Sequence, residues 1–341
     1  MASKLTAFPF FLVMGSSLNQ GMRISWQVII HGATKFDVKI NYKTPKSQAN
    51  AGLQKTKEMT SPKKLLKAWN LRPKKKLGQH FLADPSTAEM IVRRARITPK
   101  DAVLEIGAGL GALTIPAAKI AGSVYAVETD QQLTELLKTE LLVYQLTNVD
   151  IIQKNILHLD IRSLAKKLDR QLIVMGNLPY NISSQVLIQL VEGRKYVNRA
   201  ILMFQKELAR RIKASPGNKD YGRLTVMLSY CAEIKSIARI VPSLFYPAPK
   251  IESEVVEINF NISRAYPPHN ETMLFQVIKA GFGNRRKTLK NALSASGLHF
   301  DPQIAHRALT AAGIDPSRRA ETLGVSEFVA LQVCLAQALK A

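Results

Sequence analysis

Two loops in this sequence place residue types that chemistry needs at fixed spacing. The first is Met175 to Gln185, MGNLPYNISSQ, between the apolar run QLIVM and an amphipathic stretch. Asn177 offers an amide oxygen, Leu178 a backbone carbonyl and Tyr180 an aromatic face, and Pro179 stiffens the turn. A flat base with an exocyclic amine suits that set. Tyr180 stacks on the ring, while Asn177 Oδ1 and the Leu178 carbonyl accept the two amine hydrogens. An aromatic amine is a poor nucleophile because its lone pair is delocalised into the ring. Two acceptors that fix its hydrogens favour a pyramidal nitrogen and free the lone pair toward an electrophilic methyl. Hydride transfer has no use for such a loop; methyl transfer does. The competing reading is a capping Asn beside a packed Tyr.

The second loop, VLEIGAGLGALT, puts Gly107, Gly109 and Gly111 after another apolar run. Glycines there allow a tight turn and a close approach of backbone N–H groups to a ligand, with a helix N-terminus behind them. The loop alone fits a nicotinamide-binding fold equally well. Glu128, 21 residues after Gly107, stands where a carboxylate accepts both hydroxyls of a ligand ribose. Together they point to an adenosine-containing cofactor without saying which. The two cysteines, Cys231 and Cys334, lie far apart in apolar, helix-like surroundings, which predicts buried free thiols in a reducing compartment. Neither a disulfide nor a metal site is expected.

These residues need a scaffold. From Ala102 the chain alternates the short apolar runs AVLEIG, SVYAVE, VDIIQ, QLIVMGN and RAILMF with helical stretches starting near Gly111, Asp130, Ile161, Ile182 and Lys206. Such alternation predicts an α/β fold with a parallel sheet covered on both faces. The runs EIKSIARIV and SEVVEINF have no helix between them and close the sheet as an antiparallel pair. From about Ser263 only helices follow, near 270–281, 286–296, 301–312 and 325–339, which reads as a separate small domain. Regular patterning begins near Asp84, with Asp84 as N-cap and Pro85 at the first helical position. The expected organisation is a basic extension without regular structure (1–58), a basic lead-in (59–83), a catalytic domain (84–262) and a helical domain (263–341).

The net charge is +23, from 48 basic and 25 acidic residues. Residues 1–76 hold 15 Lys/Arg against 2 Asp/Glu, while residues 77–263 hold 23 against 18. An ordinary centre flanked by basic segments favours a polyanionic partner, nucleic acid above all. Lys74, Lys75 and Lys76 in RPKKKLGQ, and Arg285, Arg286 and Lys287 in GNRRKTLKN, are the candidate phosphate contacts. No apolar run is long enough to span a bilayer, and FPFFLVMG, broken by Pro9, is a poor signal core. Because patterning starts shortly after Met59, the native start is expected there and not at Met1. The rival is an organelle transit segment, although one Arg before Lys57 is few for such a peptide.

Five ordered stretches, KKKLGQHFL, EIGAGLGALT, GNLPYNISS, VPSLFYPAPKIESEV and FGNRRKTLKNAL, resemble the ribosomal RNA adenine N6-dimethyltransferases of the KsgA type over about residues 62–340. The resemblance implies a Rossmann-like methyltransferase fold with a mostly parallel seven-stranded sheet and a small all-helical C-terminal domain. It implies S-adenosylmethionine as cofactor and dimethylation of two adjacent adenosines in a hairpin near the 3′ end of 16S-type small-subunit rRNA. The implied partner is the immature small ribosomal subunit, met by a monomer in the cytoplasm (or in an organelle matrix, if 1–58 is a transit segment), with no membrane. By the same resemblance, cofactor contacts fall on His80, Leu82, Gly107, Gly109, Glu128, Asn155 and Asn177, and Phe245 covers the target base opposite Tyr180. His80 stands where many members have Asn. Asn155 stands where the family has Asp, so Asn155 is expected to accept the adenine amine more weakly. Two rival readings share the core motifs: methylation of a large-subunit rRNA adenine, and a non-catalytic assembly or transcription factor. The FGNRRKTLKNAL helix argues against the first, and intact Gly107, Glu128, Asn177 and Tyr180 argue against the second.

Overall fold

A computed structural model describes residues 60–262, 270–284, 286–298 and 300–339, and the backbone of 23–27 and 37–41. Within Met1–Lys57, β1 (Arg23–Gln27) and β2 (Asp37–Asn41) pair antiparallel. The sequence predicts no regular structure there. Stretches as short as RISWQ and DVKIN cannot show a sustained period, which is why the pair escapes pattern reading.

Glu58–Ala341 forms the second unit. It begins with α1 (Pro62–Ala68), β3 (Phe81–Leu82) and α2 (Pro85–Arg94). The alternating body follows: β4 (Ala102–Ile106), α3 (Thr114–Ala118), β5 (Ser123–Glu128), α4 (Gln131–Val143), β6 (Val149–Gln153), α5 (Ile161–Leu168), β7 (Leu172–Asn177), α6 (Ser183–Glu192) and β8 (Val197–Gln205). Then come α7 (Lys206–Ile212), α8 (Arg223–Cys231), β9 (Glu233–Ile240), β10 (Phe245–Tyr246) and β11 (Ser253–Asn259). The chain ends in α9 (Glu271–Gly281), α10 (Leu289–Ser294), α11 (Pro302–Ala311) and α12 (Val325–Ala338).

Seven strands make one sheet in the order β6-β5-β4-β7-β8-β11-β9, parallel from β6 to β8, with β11 antiparallel to both its neighbours. The predicted seven-stranded, mostly parallel sheet is thus present, and β9 and β11 pair antiparallel as expected. All five residues of β4 are buried, as a strand covered on both faces requires. Asp84 caps α2 by accepting from Thr87 N at 2.8 Å, with Pro85 in the first turn. Helix α1 was not legible: in PKKLLKA the buried face is Pro62, Leu65 and Leu66, too few to set a period.

The C-terminal helices share one continuous apolar core with the sheet. Leu202, Phe204 and Val256 of the sheet belong to the same cluster as Tyr221, Leu274, Leu309 and Phe328. Tyr221 donates to the Leu323 carbonyl at 2.9 Å, and the buried Arg194 pairs with Glu271 of α9. The expected separate domain is therefore built onto the catalytic core. Cys231 on α8 is buried, its Sγ donating to the Met227 carbonyl at 3.2 Å, and Cys334 on α12 is only partly buried; neither is in a disulfide.

Candidate active site

The sheet reverses its order beside β4: the chain runs outward to β5 and β6 on one side, then returns to β7 on the other. Loops leaving the carboxyl ends of β4 and β7 diverge there and open a crevice. Gly107 and Gly109 follow β4, Glu128 ends β5, Asn155 follows β6 and Asn177 ends β7, and all line one cleft with His80 and Leu82. Residues separated by nearly a hundred positions are thus brought together.

Glu128 anchors the near wall. Its Oε2 accepts from Gly109 N at 2.9 Å, and its Oε1 from Thr129 N at 2.8 Å and Asp130 N at 2.9 Å. Gly109 has φ +54°, and a Cβ there would come within 3.3 Å of the Phe81 ring, so the turn that aims its N–H at Glu128 needs glycine. Burial pushes the Glu128 carboxyl above its usual range, while the Asp130, Gly109 and Thr129 amides work against that rise. With three backbone donors bound, the carboxylate retains acceptor capacity for hydroxyl groups in the cleft.

The far wall carries the predicted amine-binding loop. Asn177 Nδ2 donates to the His80 carbonyl at 2.8 Å, which fixes the amide, and among the described residues no donor takes its Oδ1. Among the described residues no donor takes the Leu178 carbonyl, whereas the Pro179 carbonyl accepts from Ile182 N at 3.2 Å and Ser183 Oγ at 2.9 Å. Two open acceptors therefore sit side by side in a stiffened turn. Tyr180 is half-buried; its ring stacks with His80 at 5.9 Å and 24°, and its hydroxyl lies 3.4 Å from Ser253 Oγ. His80 Nδ1 donates to the Pro247 carbonyl at 2.8 Å.

The remaining expected site residues divide between the apolar core, an ion pair and the surface. Phe245 is 5 % exposed, sits in the apolar cluster with Leu82, Ile91 and Ile240, and does not line the cleft. Pairing of β10 with β3 sets Phe245 opposite Leu82, with its side chain buried in that cluster and not in the cleft where the resemblance expects it. Lys74 is not a free cation: its Nζ meets Asp130 Oδ2 at 2.8 Å. Lys75, Lys76, Arg286 and Lys287 are exposed. Arg285 lies outside the described residues. Asp160 caps α5, accepting from Ser163 N at 3.2 Å, and takes no part in the cleft.

Asn155 lines the cleft, but its Oδ1 already accepts from Leu157 N at 3.0 Å, capping the short turn Ile156–His158. An aspartate would keep one oxygen on that cap and offer the other to an adenine amine. Asn155→Asp should therefore tighten S-adenosylmethionine binding by a few-fold, since about 1 kcal/mol is somewhat less than tenfold. Calorimetry on the variant checks this, and weaker binding would mean that no cofactor amine faces position 155.

Two acidic residues were not singled out as site residues by the sequence: Glu105, which lines the cleft, and Asp130, which adjoins Glu128. Asp130 is buried beside Glu128; burial disfavours its charge, but hydrogen bonds from Lys74 and Gln79 and the Lys74 charge outweigh this and hold its carboxyl below the usual range. Glu105, the last residue but one of β4, accepts from Thr114 Oγ1, and burial pushes it up from 4.5 to about 8, with the Glu128 charge adding to the rise. The unfolded chain releases that proton near pH 4.5 while the native chain holds it to about pH 8, so native stability falls as pH rises through that window. Glu105→Gln should remove this loss. The variant's advantage over the parent should grow by roughly 1 kcal/mol per pH unit across the window in denaturant unfolding. Parallel stability curves for the two proteins would contradict a protonated Glu105.

Comparison with known proteins agrees with this geometry. The family model described as ribosomal RNA adenine dimethylase matches residues 70–336. A "Ribosomal RNA small subunit methyltransferase A" of Desulforapulum autotrophicum is 51% identical over 277 residues, covering 81% of this chain and 97% of the relative. A protein of the same name from Magnetococcus marinus is 42% identical over 269 residues, covering 79% and 94%. Among solved structures, a dimethyladenosine transferase from Plasmodium falciparum superposes with TM-score 0.65 at 23% identity, covering 76% of this chain and 98% of that one. The 23S rRNA methyltransferase ErmE gives TM-score 0.56 at 23% identity, covering 75% and 100%. At that identity the two structures speak for the fold alone, but the matched family model and the relatives settle the lineage: this chain belongs to the ribosomal RNA adenine dimethylase family.

Proposed function

We propose that this protein dimethylates N6 of two adjacent adenosines in a hairpin near the 3′ end of small-subunit rRNA, using S-adenosylmethionine, and so serves small-subunit biogenesis. The observation that carries this reading is the Asn177 amide, locked through Nδ2 to the His80 carbonyl so that Oδ1 stays open beside the open Leu178 carbonyl. The residues of the cleft fit the cofactor: Glu128 for ribose hydroxyls, the Gly107–Gly109 turn for close approach, Asn155 toward the adenine, and His80 and Leu82 along the opposite wall. S-adenosylmethionine, when bound, supplies an electrophilic methyl group. Asn177 Oδ1 and the Leu178 carbonyl take the two N6 hydrogens of the target adenine, turning the nitrogen lone pair out of the ring plane. Tyr180 stacks on the flipped base, which is thereby drawn from its hairpin. Once methylated, the nitrogen is cationic and releases one of its two protons to solvent; one N6 hydrogen then remains, and one acceptor suffices to aim the restored lone pair again.

Exposed Lys75, Lys76, Arg286 and Lys287 contact RNA phosphates, a term that gives affinity and salt dependence with little sequence choice. The partner is the immature small subunit, engaged by a monomer in the cytoplasm. Among the described residues no helix is long and apolar enough to cross a membrane. Incubation with methyl-labelled S-adenosylmethionine and either immature small subunits or large subunits tests the reading. Label is expected in the small-subunit RNA; label only in large-subunit RNA, or in neither, would overturn it.

A further inference from the structure

The basic run Arg72–Lys76 is not uniform. Lys75 and Lys76 are exposed, and among the described residues no carboxylate meets them. Lys74 Nζ instead lies 2.8 Å from one Asp130 oxygen and 2.9 Å from the other. Gln79 completes a ring, donating from Nε2 to Asp130 Oδ2 at 3.1 Å and accepting from Lys74 N at 2.7 Å. Asp130 is 6% exposed, caps α4 through Gln132 N at 3.2 Å, and donates its own N–H to Glu128 at 2.9 Å. Both Lys74 and Gln79 are thus tied to the carboxylate next to the proposed ribose acceptor. The residues between and after them, Leu77 to Leu82, form one wall of the cleft. That wall is fixed at its far end independently, by the pairing of β3 with β10 and by the His80 carbonyl bound to Asn177.

We propose that Lys74, Gln79 and Asp130 form a clasp that holds residues 74–82 closed across the cofactor cleft, making Lys74 a positioning residue for cofactor binding and not a phosphate contact. The inference rests on the cleft being the S-adenosylmethionine site, as proposed above. An apparent affinity scales with the fraction of molecules in the competent state. Removing the Lys74 ammonium leaves the buried Asp130 carboxylate short of its counter-ion, so the near end of the wall loosens and the closed fraction drops. A phosphate-binding lysine behaves oppositely: its loss changes the salt dependence of RNA binding and leaves the cleft untouched.

The test uses the full chain, S-adenosylhomocysteine as the probe and a labelled small-subunit hairpin RNA. Lys74→Met should bind S-adenosylhomocysteine about three- to tenfold more weakly in calorimetry, the range for a half-exposed partner of a buried charge. Backbone amides of residues 77–82 should exchange faster in this variant, and its slope of log RNA affinity against log salt should match the parent. Lys74→Arg, which keeps the charge, should restore most of the affinity. The double variant Lys75→Met/Lys76→Met should flatten the salt slope by about 1.5–2 with cofactor affinity unchanged. A Lys74→Met protein that binds S-adenosylhomocysteine like the parent, with unaltered exchange at 77–82, would overturn the clasp. A parent protein that does not bind S-adenosylhomocysteine at all would overturn the cofactor reading and the clasp with it.

Discussion

Asn177→Ala is expected to lower methyl transfer on the order of 100-fold or more, the usual cost of losing a preorganised polar group at a reacting centre. The variant should stay folded, because Asn177 ends β7 half-buried and its backbone keeps its place beside β8. Two interactions go at once: the open Oδ1 acceptor and the Nδ2 donation to the His80 carbonyl. Asn177→Asp separates them. It restores an acceptor of the same size, but sets a carboxylate oxygen against the His80 carbonyl where a donor stood. If orientation of the amide is what matters, Asn177→Asp should also lose at least tenfold, about 1.4 kcal/mol of transition-state stabilisation. S-adenosylhomocysteine binding, followed by calorimetry, should change far less than turnover in both variants. Turnover of Asn177→Ala within threefold of the parent would remove Asn177 from the mechanism.

Glu128→Gln should weaken S-adenosylmethionine binding by roughly 10–150-fold, from the loss of charged hydrogen bonds of about 1.5–3 kcal/mol. The substitution is nearly isosteric, so the effect comes from donors meeting donors. With the amide oxygen toward Gly109 N, the new NH2 group faces Thr129 N and Asp130 N; with the amide flipped, it faces Gly109 N. Either way an N–H loses its acceptor in a buried position, and the ribose hydroxyls lose a carboxylate. The unfolding midpoint should fall along with cofactor affinity. A Glu128→Gln protein that binds S-adenosylmethionine within threefold of the parent would show that Glu128 only braces the glycine turn.

The sequence made the sheet legible because strands covered on both faces must be almost wholly apolar, and AVLEI, SVYAVE and QLIVMGN are. It made the cleft legible because Gly107, Glu128 and Asn177 each end a strand on the same side of the sheet. What it did not show depends on distances along the chain or on single atoms. Lys74 and Asp130 are 56 positions apart, and nothing local to a lysine-rich run marks one member as paired. Phe245 in a proline-rich loop reads as an exposed aromatic; only its pairing opposite Leu82 turns it into the core. At Asn155 the residue type was visible, but not that the turn at Ile156 would claim its oxygen. The C-terminal change to helices was plain, yet an apolar helix face looks the same whether it packs on its own neighbours or on the catalytic core, so the shared cluster through Tyr221 and Phe328 was hidden.

The central claim is that the open acceptor pair at Asn177 and Leu178 serves the exocyclic amine of small-subunit adenosines. Mass spectrometry of nuclease-digested RNA, taken from immature small subunits before and after incubation with the protein and S-adenosylmethionine, tests it most directly. The account predicts two adjacent N6,N6-dimethyladenosines within one fragment from the 3′ hairpin, formed by the parent protein and missing with Asn177→Ala. Methyl groups on another base, on a ring nitrogen or on large-subunit RNA alone would contradict it.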